Sequence, residues 1–158
     1  MVHTPEEIIS GAVSLREASV VVIGSGMTGL EVAEILSERA RNNAVVVLEA
    51  ADKIAPGALG SNRNVVTAVL EVNNAVIMLN RTVARIGEDR IFFSDTETGE
   101  AYTYPCDAVV LAVGVTSVRT YGGALEGLCD KALVAGDAEE GGNIWHAIHD
   151  GYHKAAEL

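Results

Sequence analysis

Residues Ser19 to Glu49 read SVVVIGSGMTGLEVAEILSERARNNAVVVLE, and this stretch decides the fold. The apolar, β-branched run Ser19–Ile23 predicts a buried strand that stops at Gly24. Apolar residues then recur at helical spacing from Met27 to about Arg41. A second apolar run, Ala44–Leu48, predicts another buried strand. A strand, a helix and a strand in this order predict a βαβ unit with a parallel sheet.

The glycines between the first strand and the helix match the pattern GxGxxG, and Glu49 stands 20 residues after the last of them. Gly24 suits a tight turn, Gly26 lets a pyrophosphate approach the backbone, and Gly29 lets the helix pack closely on the strand. The helix N-terminus attracts the phosphate charge, and Glu49 can accept hydrogen bonds from a ribose diol. This context indicates a site for a dinucleotide cofactor. The alternatives are a glycine-rich turn without a ligand and a site for a methyl-donor nucleoside.

Glu49 also bears on the choice of cofactor, because a carboxylate there would repel the 2′-phosphate of NADP. NAD(H) is therefore favoured over NADP(H). Lys53, four residues further on, could weaken that discrimination or could be an ordinary solvated charge. Glu31, two residues past Gly29, is either a solvent-facing helix charge or a polar group near the nicotinamide ribose.

The rest of the chain predicts an α/β fold, a Rossmann-like parallel sheet flanked by helices with a three-stranded antiparallel β-meander as a crossover. The predicted elements are a helix at Asn62–Val72, a strand at Ala75–Leu79, the meander strands Thr82–Ile86, Arg90–Ser94 and Ala101–Tyr104, and a strand at Asp107–Val113.

Two further elements are predicted near the C-terminus. Ala132–Ala135 is a short strand that runs into Gly136-Asp137, and Asn143–Leu158 is an amphipathic helix. His146, His149 and His153 share the polar face of that helix, a spacing that allows metal ligation but is more typical of a solvated surface. No catalytic group and no metal site is predicted.

Composition narrows the classes of partner. The 158 residues suit one compact domain, and their formal net charge of −11 argues against nucleic acid and membrane surfaces. No apolar run is long enough to span a bilayer, and no signal peptide is evident, so we expect a cytoplasmic protein. Cys106 and Cys129 form no CxxC pattern and are expected to be reduced thiols rather than a redox or metal pair.

Four segments resemble the pyridine nucleotide–disulfide oxidoreductase superfamily. Val20–Glu34 is similar to its NADH-domain fingerprint, Asp107–Gly114 to the strand that closes that domain, and Val134–Asp137 to its second FAD motif. Ile144–Tyr152 looks most like one branch, the C-terminal regions of 2,4-dienoyl-CoA reductase, 2-enoate reductase and trimethylamine dehydrogenase. In that branch an old-yellow-enzyme barrel with FMN and an iron–sulfur cluster precedes this region.

The resemblance implies a set of cofactor-binding residues. Those of the NAD(H) site would be Gly24, Ser25, Gly26, Met27, Thr28, Gly29 and Glu49. Glu31 would lie near the nicotinamide, Gly114 would line the same cleft, and Asp137 would have bound FAD in a parent enzyme.

Enzymes of this superfamily carry a further GxGxxG that begins an FAD domain, whereas this sequence has one such motif. We therefore expect a lead-in at 1–18, an NAD(P)-binding Rossmann-like domain at 19–115, and a linker plus the remnant of the second half of an FAD domain at 116–158.

The expected function is to hold NADH for hydride transfer to FAD within a larger flavin-dependent oxidoreductase, with FAD itself not retained here. The alternative is a non-catalytic module that binds ADP or another nucleotide. The expected partners are the dinucleotide and the remaining domains of the parent flavoenzyme. Exposure of a former interdomain surface also leaves a homodimer as an option.

Overall fold

A parallel sheet of five strands forms the centre of the first of two units. The computed structural model describes residues 1–56, 60–119, 124, 128 and 130–157, which divide into Met1–Gly114 and Val115–Leu158. Numbered along the chain, the strands of this sheet are β1 (Val2–His3), β2 (Ser19–Ile23), β3 (Ala44–Leu48), β4 (Val76–Met78) and β8 (Ala108–Leu111). They lie in the order β1-β8-β2-β3-β4, and all neighbours are parallel.

The central strands are buried on both faces, which is why they consist almost entirely of valine. Val21 on β2 is paired with Val46 on β3 and Val109 on β8. These three side chains belong to one apolar cluster, whereas the neighbouring Val20 and Val22 belong to the cluster on the opposite face. The alternation follows from the two-residue period of a strand.

Helices cover one face of the sheet. They are α1 (Pro5–Ile9), α2 (Met27–Ser37) and α3 (Gly60–Val72). Leu30 and Leu36 of α2 and Leu70 of α3 are completely or almost completely buried against the valines of the sheet. Thr4 caps α1, and Glu7 completes a capping box with it, so this five-residue helix is held at its N-terminus by side chains.

The other face is covered by an antiparallel meander that forms the crossover between β4 and β8. Its strands are β5 (Arg81–Ile86), β6 (Arg90–Asp95) and β7 (Ala101–Pro105), in the order β5-β6-β7. Ile91 and Phe93 of β6 are buried in the same cluster as Val21. The first unit therefore has helices, a parallel sheet and a meander as its three layers, which confirms the predicted α/β Rossmann-like fold class.

The predicted helix from Met27 to about Arg41 is wrong at its end. The backbone leaves the helical region at Glu38, and a separate 3-10 turn spans Arg39–Arg41. Asn43 explains the early end, because its side-chain amide donates to the Leu36 carbonyl oxygen at 3.0 Å and so satisfies one of the last carbonyls of α2.

Strand β1 is not predicted by any sequence pattern, since the segment 1–18 is expected to be a lead-in. Two residues are too few for a periodic signal, and the strand exists because β8 pairs with Val2 and His3. Within the same segment Ile8 is buried in the core. The segment is thus an integral part of the first unit, as an edge strand and a helix.

The second unit contains α4 (Ile144–Ala155), whose Asn143 side chain accepts a hydrogen bond from the His146 amide at 3.0 Å. This helix confirms the main part of the predicted Asn143–Leu158. The predicted strand Ala132–Ala135 is wrong, because these residues form no ladder in the described part of the chain. A hydrogen bond ties this segment to α4 instead: Lys154 donates to the Val134 carbonyl oxygen at 2.7 Å.

The apolar side chains of α4 are largely exposed to solvent within this unit. Ile144, Ile148 and Tyr152 recur every fourth residue and are each more than half exposed, whereas Ala147 and Gly151 are partly covered.

The described residues include no helix with the length and apolar character needed to cross a membrane.

Gly29→Ala is expected to lower the free energy of unfolding by about 2 to 3 kcal/mol, the cost of overpacking rigid atoms. A Cβ at Gly29 would lie 2.2 Å from the Gly24 carbonyl oxygen, so the backbone must shift. Gly26→Ala is the matched control, because a Cβ there meets no heavy atom within 4 Å. Its cost should stay below about 1 kcal/mol. Urea denaturation measures both variants, and equal losses would contradict the close contact.

Candidate functional site

The loop between β2 and α2 lies at the carboxyl end of the sheet, where the strand order reverses. From β2 the chain proceeds outward through β3 and β4, whereas β8 and β1 lie on the other side of β2. Such a switch point leaves a crevice at the ends of the strands, where α/β proteins bind their ligands. The Gly24 amide donates to the Leu48 carbonyl oxygen at 2.8 Å, which ties the loop to the end of β3.

Two of the three glycines are required by close approaches of the backbone. Gly24 has a φ of +98°, and a Cβ there would lie 2.3 Å from the carbonyl oxygen of Ala112. Gly29 has no room for a Cβ because of the Gly24 carbonyl. These contacts set the direction in which α2 leaves the sheet, and they agree with the roles predicted for the two residues.

Gly26 is different, because it is exposed and faces open space. It is the N-cap of α2, and its cap has no side-chain hydrogen bond. The amides of the first helical turn have no partners within the helix, so they are available to an anion. Thr28 in that turn is exposed and Met27 is half-buried. Backbone donors, a helix dipole and an unobstructed approach therefore coincide at this point.

Glu49 follows β3 directly and is held by three hydrogen bonds. Its Oε2 accepts from the Ser25 amide and the Ser25 hydroxyl, both at 2.8 Å, and its Oε1 accepts from the Ala51 amide at 2.8 Å. Partial burial raises the pKa of Glu49, but these donors and the Ala50 backbone amide favour the charged form and together outweigh burial, so the pKa lies below its ordinary value. A carboxylate is therefore present at neutral pH beside the glycine loop.

The structure thus brings together the glycine loop and Glu49, the two features that the sequence singles out. Ser25 has no exposed surface, and both its amide and its hydroxyl donate to Glu49. Its neighbours in this network, Ala51 and Ala55, are missed by sequence reasoning because they contribute only backbone amides. An amide donor leaves no signature in the identity of its residue.

The remaining predicted residues of the first unit are Glu31 and Gly114. Glu31 is exposed on α2, one turn from its N-terminus. Gly114 is exposed, has a φ of +114°, and follows the end of β8 by three residues. Val113 before it has its Cα 3.6 Å from where a Cβ of Gly24 would lie. Gly114 is therefore close in sequence to a residue that borders the glycine loop.

Asp137 belongs to the second unit, where it lies in a 3-10 turn, Gly136–Ala138. Its carboxylate accepts from the Gly142 amide at 3.2 Å. A cleft of about 610 Å³ lies between this region and one face of α4. Its lining residues include Gly136, Asn143, Trp145, His146, His149 and Asp150.

The histidines of α4 line this cleft or lie beside it, and Trp145 stacks on His149 with ring centroids 4.1 Å apart. Within the described ranges no group of three His, Cys, Asp or Glu residues is arranged to hold a metal ion.

Cys106 is buried with a free thiol whose pKa is raised by burial, and Cys129 lies outside the described residues.

The sequence from residue 3 to residue 130 matches the family described as pyridine nucleotide-disulphide oxidoreductase. The chain belongs to this family. The match includes the whole glycine loop and Glu49 and extends past β8, so it covers most of the chain.

Individual proteins extend the comparison. The chain is 32% identical over 146 residues to the bilirubin reductase of Mediterraneibacter gnavus (strain CC55_001C), covering 91% of this chain and 22% of that protein. Histamine dehydrogenase from Rhizobium sp. 4-9 superposes with a TM-score of 0.85 at 22% identity, covering 100% of this chain and 26% of that chain. A 2-naphthoyl-CoA reductase superposes with a TM-score of 0.81 at 26% identity, covering 99% of this chain and 23% of that chain. This chain therefore spans about a quarter of the length of these relatives.

Replacing Glu49 by glutamine is expected to destabilise the protein at neutral pH but not in acid. A carboxylate with a lowered folded-state pKa stabilises the fold above its unfolded-state pKa, and this contribution is lost as the pH falls through the folded-state pKa. The difference in urea midpoint between wild type and Glu49→Gln should therefore be largest near pH 7 and shrink as the pH falls below the ordinary carboxyl range. Glu71→Gln, at an exposed site on α3, is the control and should show no such dependence. A constant difference from pH 7 into acid would contradict the pKa assignment.

Proposed function

We propose that this chain is the NAD(H)-binding portion of a larger flavin-dependent oxidoreductase and that it positions NADH for hydride transfer to FAD. The observation that carries the proposal is the position of the Glu49 carboxylate beside the open N-terminus of α2 at the switch point of the sheet. An acidic group for a ribose and free amides for a pyrophosphate are the two requirements of an ADP-type ligand. Family membership supports the same class of cofactor.

The residues present fit a dinucleotide. The space above Gly26 is open, so a pyrophosphate can reach the backbone of the first turn of α2. Glu49 retains acceptor capacity for a ribose hydroxyl on Oε1, which accepts one hydrogen bond from Ala51. The bound cofactor supplies the hydride chemistry itself, and the role of these residues is to bind and orient it.

NAD(H) is favoured over NADP(H) in this proposal. The Glu49 carboxylate, kept charged by the hydrogen-bond donors around it, would repel a ribose 2′-phosphate. Lys53 is exposed in the loop after β3, and its charge is the group that could offset part of this repulsion. The preference therefore depends mainly on Glu49.

The second unit is proposed to be the remnant of the second half of an FAD domain. Asp137 lies in the 3-10 turn next to Gly136, which lines the cleft along α4, and in a complete enzyme this motif would contact the ribityl or pyrophosphate part of FAD. The exposed apolar residues of α4 support the view that other domains of a parent flavoenzyme cover this helix. We propose that FAD is not retained by this chain alone, because its one GxGxxG motif belongs to the NAD(H) site and no second one is available for FAD.

The relatives support a more specific placement within the family. Bilirubin reductase, histamine dehydrogenase and 2-naphthoyl-CoA reductase are all longer oxidoreductases in which this chain corresponds to about a quarter of the length. We propose that the parent belongs to the branch that resembles 2,4-dienoyl-CoA reductase, 2-enoate reductase and trimethylamine dehydrogenase. Its substrate would be bound by domains outside this chain.

The second candidate function is a structural module that holds ADP without turnover. The glycine loop and Glu49 would contact only the ADP part of a dinucleotide. Contacts to a nicotinamide would depend on Glu31 and Gly114, which are both exposed in the described structure. The two functions therefore differ in whether the nicotinamide adds affinity.

Isothermal titration of the 158-residue chain with NADH and with ADP separates the two candidates. The NAD(H)-binding function predicts tighter binding of NADH, because a nicotinamide subsite adds contacts, whereas equal affinities favour the structural module. Gly26→Val should weaken both ligands by about tenfold or more, since a Cβ at this position meets no protein atom within 4 Å and the added side chain would occupy the space that a pyrophosphate needs. Unchanged affinity in Gly26→Val would show that the loop is not the phosphate site.

Glu49→Arg tests the ribose assignment. The substitution removes a charge that repels the 2′-phosphate and introduces one that attracts it, so the ratio of NADPH to NADH affinity should rise about tenfold or more. Glu71→Arg makes the same change of charge on an exposed part of α3 and serves as the control. If both variants change the ratio equally, the effect is general electrostatics and Glu49 does not contact the ribose.

A further inference from the structure

His149 and His153 stand four residues apart on α4, the helix of the second unit. Side chains at this spacing lie one above the other on the same face of a helix. The centres of the two imidazole rings are 6.3 Å apart, and both side chains are exposed. The helix therefore presents two neighbouring imidazoles to solvent.

The separation of the two rings is close to what one metal ion can span. An imidazole nitrogen binds Zn²⁺ at about 2.0 to 2.1 Å, so two rings that share an ion have their centres at most about 6 Å apart. The observed 6.3 Å lies near that limit, and rotation of the exposed side chains between rotamers can bring the rings closer. Two histidines with three residues between them are also a spacing that zinc sites use.

Trp145 restricts the position of one of these rings. Its indole stacks on His149, with ring centres 4.1 Å apart and an angle of 29° between the ring planes. Stacking covers a face of the imidazole, whereas the two nitrogens lie at the ring edge and can still act as ligands. A side chain that is already ordered loses less conformational entropy when it binds, so the stack favours ligation by His149.

The surroundings of the histidine pair favour a cation. The cleft that both histidines line also includes Glu139, Glu140 and Asp150. The pKa of Asp150 lies below its ordinary value, mainly because the Gly136 amide donates to its carboxylate at 2.8 Å. Lys154, 3.3 Å from that carboxylate, offsets part of its charge. The net charge of −11 on the whole chain also raises the local concentration of cations.

We propose that His149 and His153 form a two-histidine site for Zn²⁺ or a similar late first-row divalent ion. No third His, Cys, Asp or Glu joins them within the part of the chain that the structure describes, so water completes the coordination. The sequence pattern alone favours a solvated surface, and the ring separation and the Trp145 stack are what change this interpretation. The site belongs to the second unit and is independent of the proposed nucleotide site in the first.

Titration of the 158-residue chain with Zn²⁺, followed by NMR of the imidazole ring protons, tests this site. The resonances of His149 and His153 should shift together, while those of His146 and His3 stay unchanged. Mg²⁺ should shift none of them, because it prefers oxygen ligands. Absence of a shift at millimolar Zn²⁺, a shift at only one histidine of the pair, or equal shifts at all four histidines would overturn the site.

Alanine variants test the pairing by isothermal titration with Zn²⁺. His149→Ala and His153→Ala should each weaken binding about tenfold or more, because a single imidazole cannot chelate the ion. His146→Ala is the matched control, since it removes an exposed histidine from the same helix and should leave the affinity almost unchanged. Equal losses in all three variants, or no loss in His149→Ala and His153→Ala, would overturn the pairing. The NMR titration uses the wild type, so it decides the site even if a variant fails to fold.

Discussion

The approach of two backbone segments at Gly24 and Gly29 is the constraint on which the rest of the first unit depends. No side chain fits between the Gly24 carbonyl and the Cα of Gly29, so α2 begins immediately after the turn that ends β2. That close packing lets Leu30 and Leu36 reach the valines of the sheet. It also places the N-terminus of α2 at the ends of β3 and β8, where a ligand can reach it.

The sequence predicts well the parts of the fold in which a local pattern and the tertiary contacts agree. The valine runs of β2 and β3 are buried on both faces and could be located to the residue. The end of α2 could not, because it depends on Asn43 reaching back to Leu36. Ala132–Ala135 has the composition of a strand, but a strand also needs a neighbour with which to pair, and composition does not supply one.

The candidate site also has parts that the sequence predicts and parts that depend on tertiary contacts. GxGxxG and Glu49 are visible in the sequence because glycine and glutamate are chemically distinctive residues at fixed spacing. The network that orients Glu49 is not visible, because two of its members are alanine amides. The network also shows how a chain with a net charge of −11 stabilises one more carboxylate: the donors to Glu49 are uncharged amides and a hydroxyl.

The position of β8 has a consequence for how the protein reaches its native state. This strand lies between β1 and β2, although it follows β2 by more than eighty residues along the chain. During synthesis β1 cannot pair until the entire meander and β8 have left the ribosome. Contacts between residues so far apart in sequence slow folding, because a long loop must close before they form. We therefore expect β2, α2 and β3 to form the earliest stable nucleus, and the addition of β8 to be the slow step that admits β1 to the sheet.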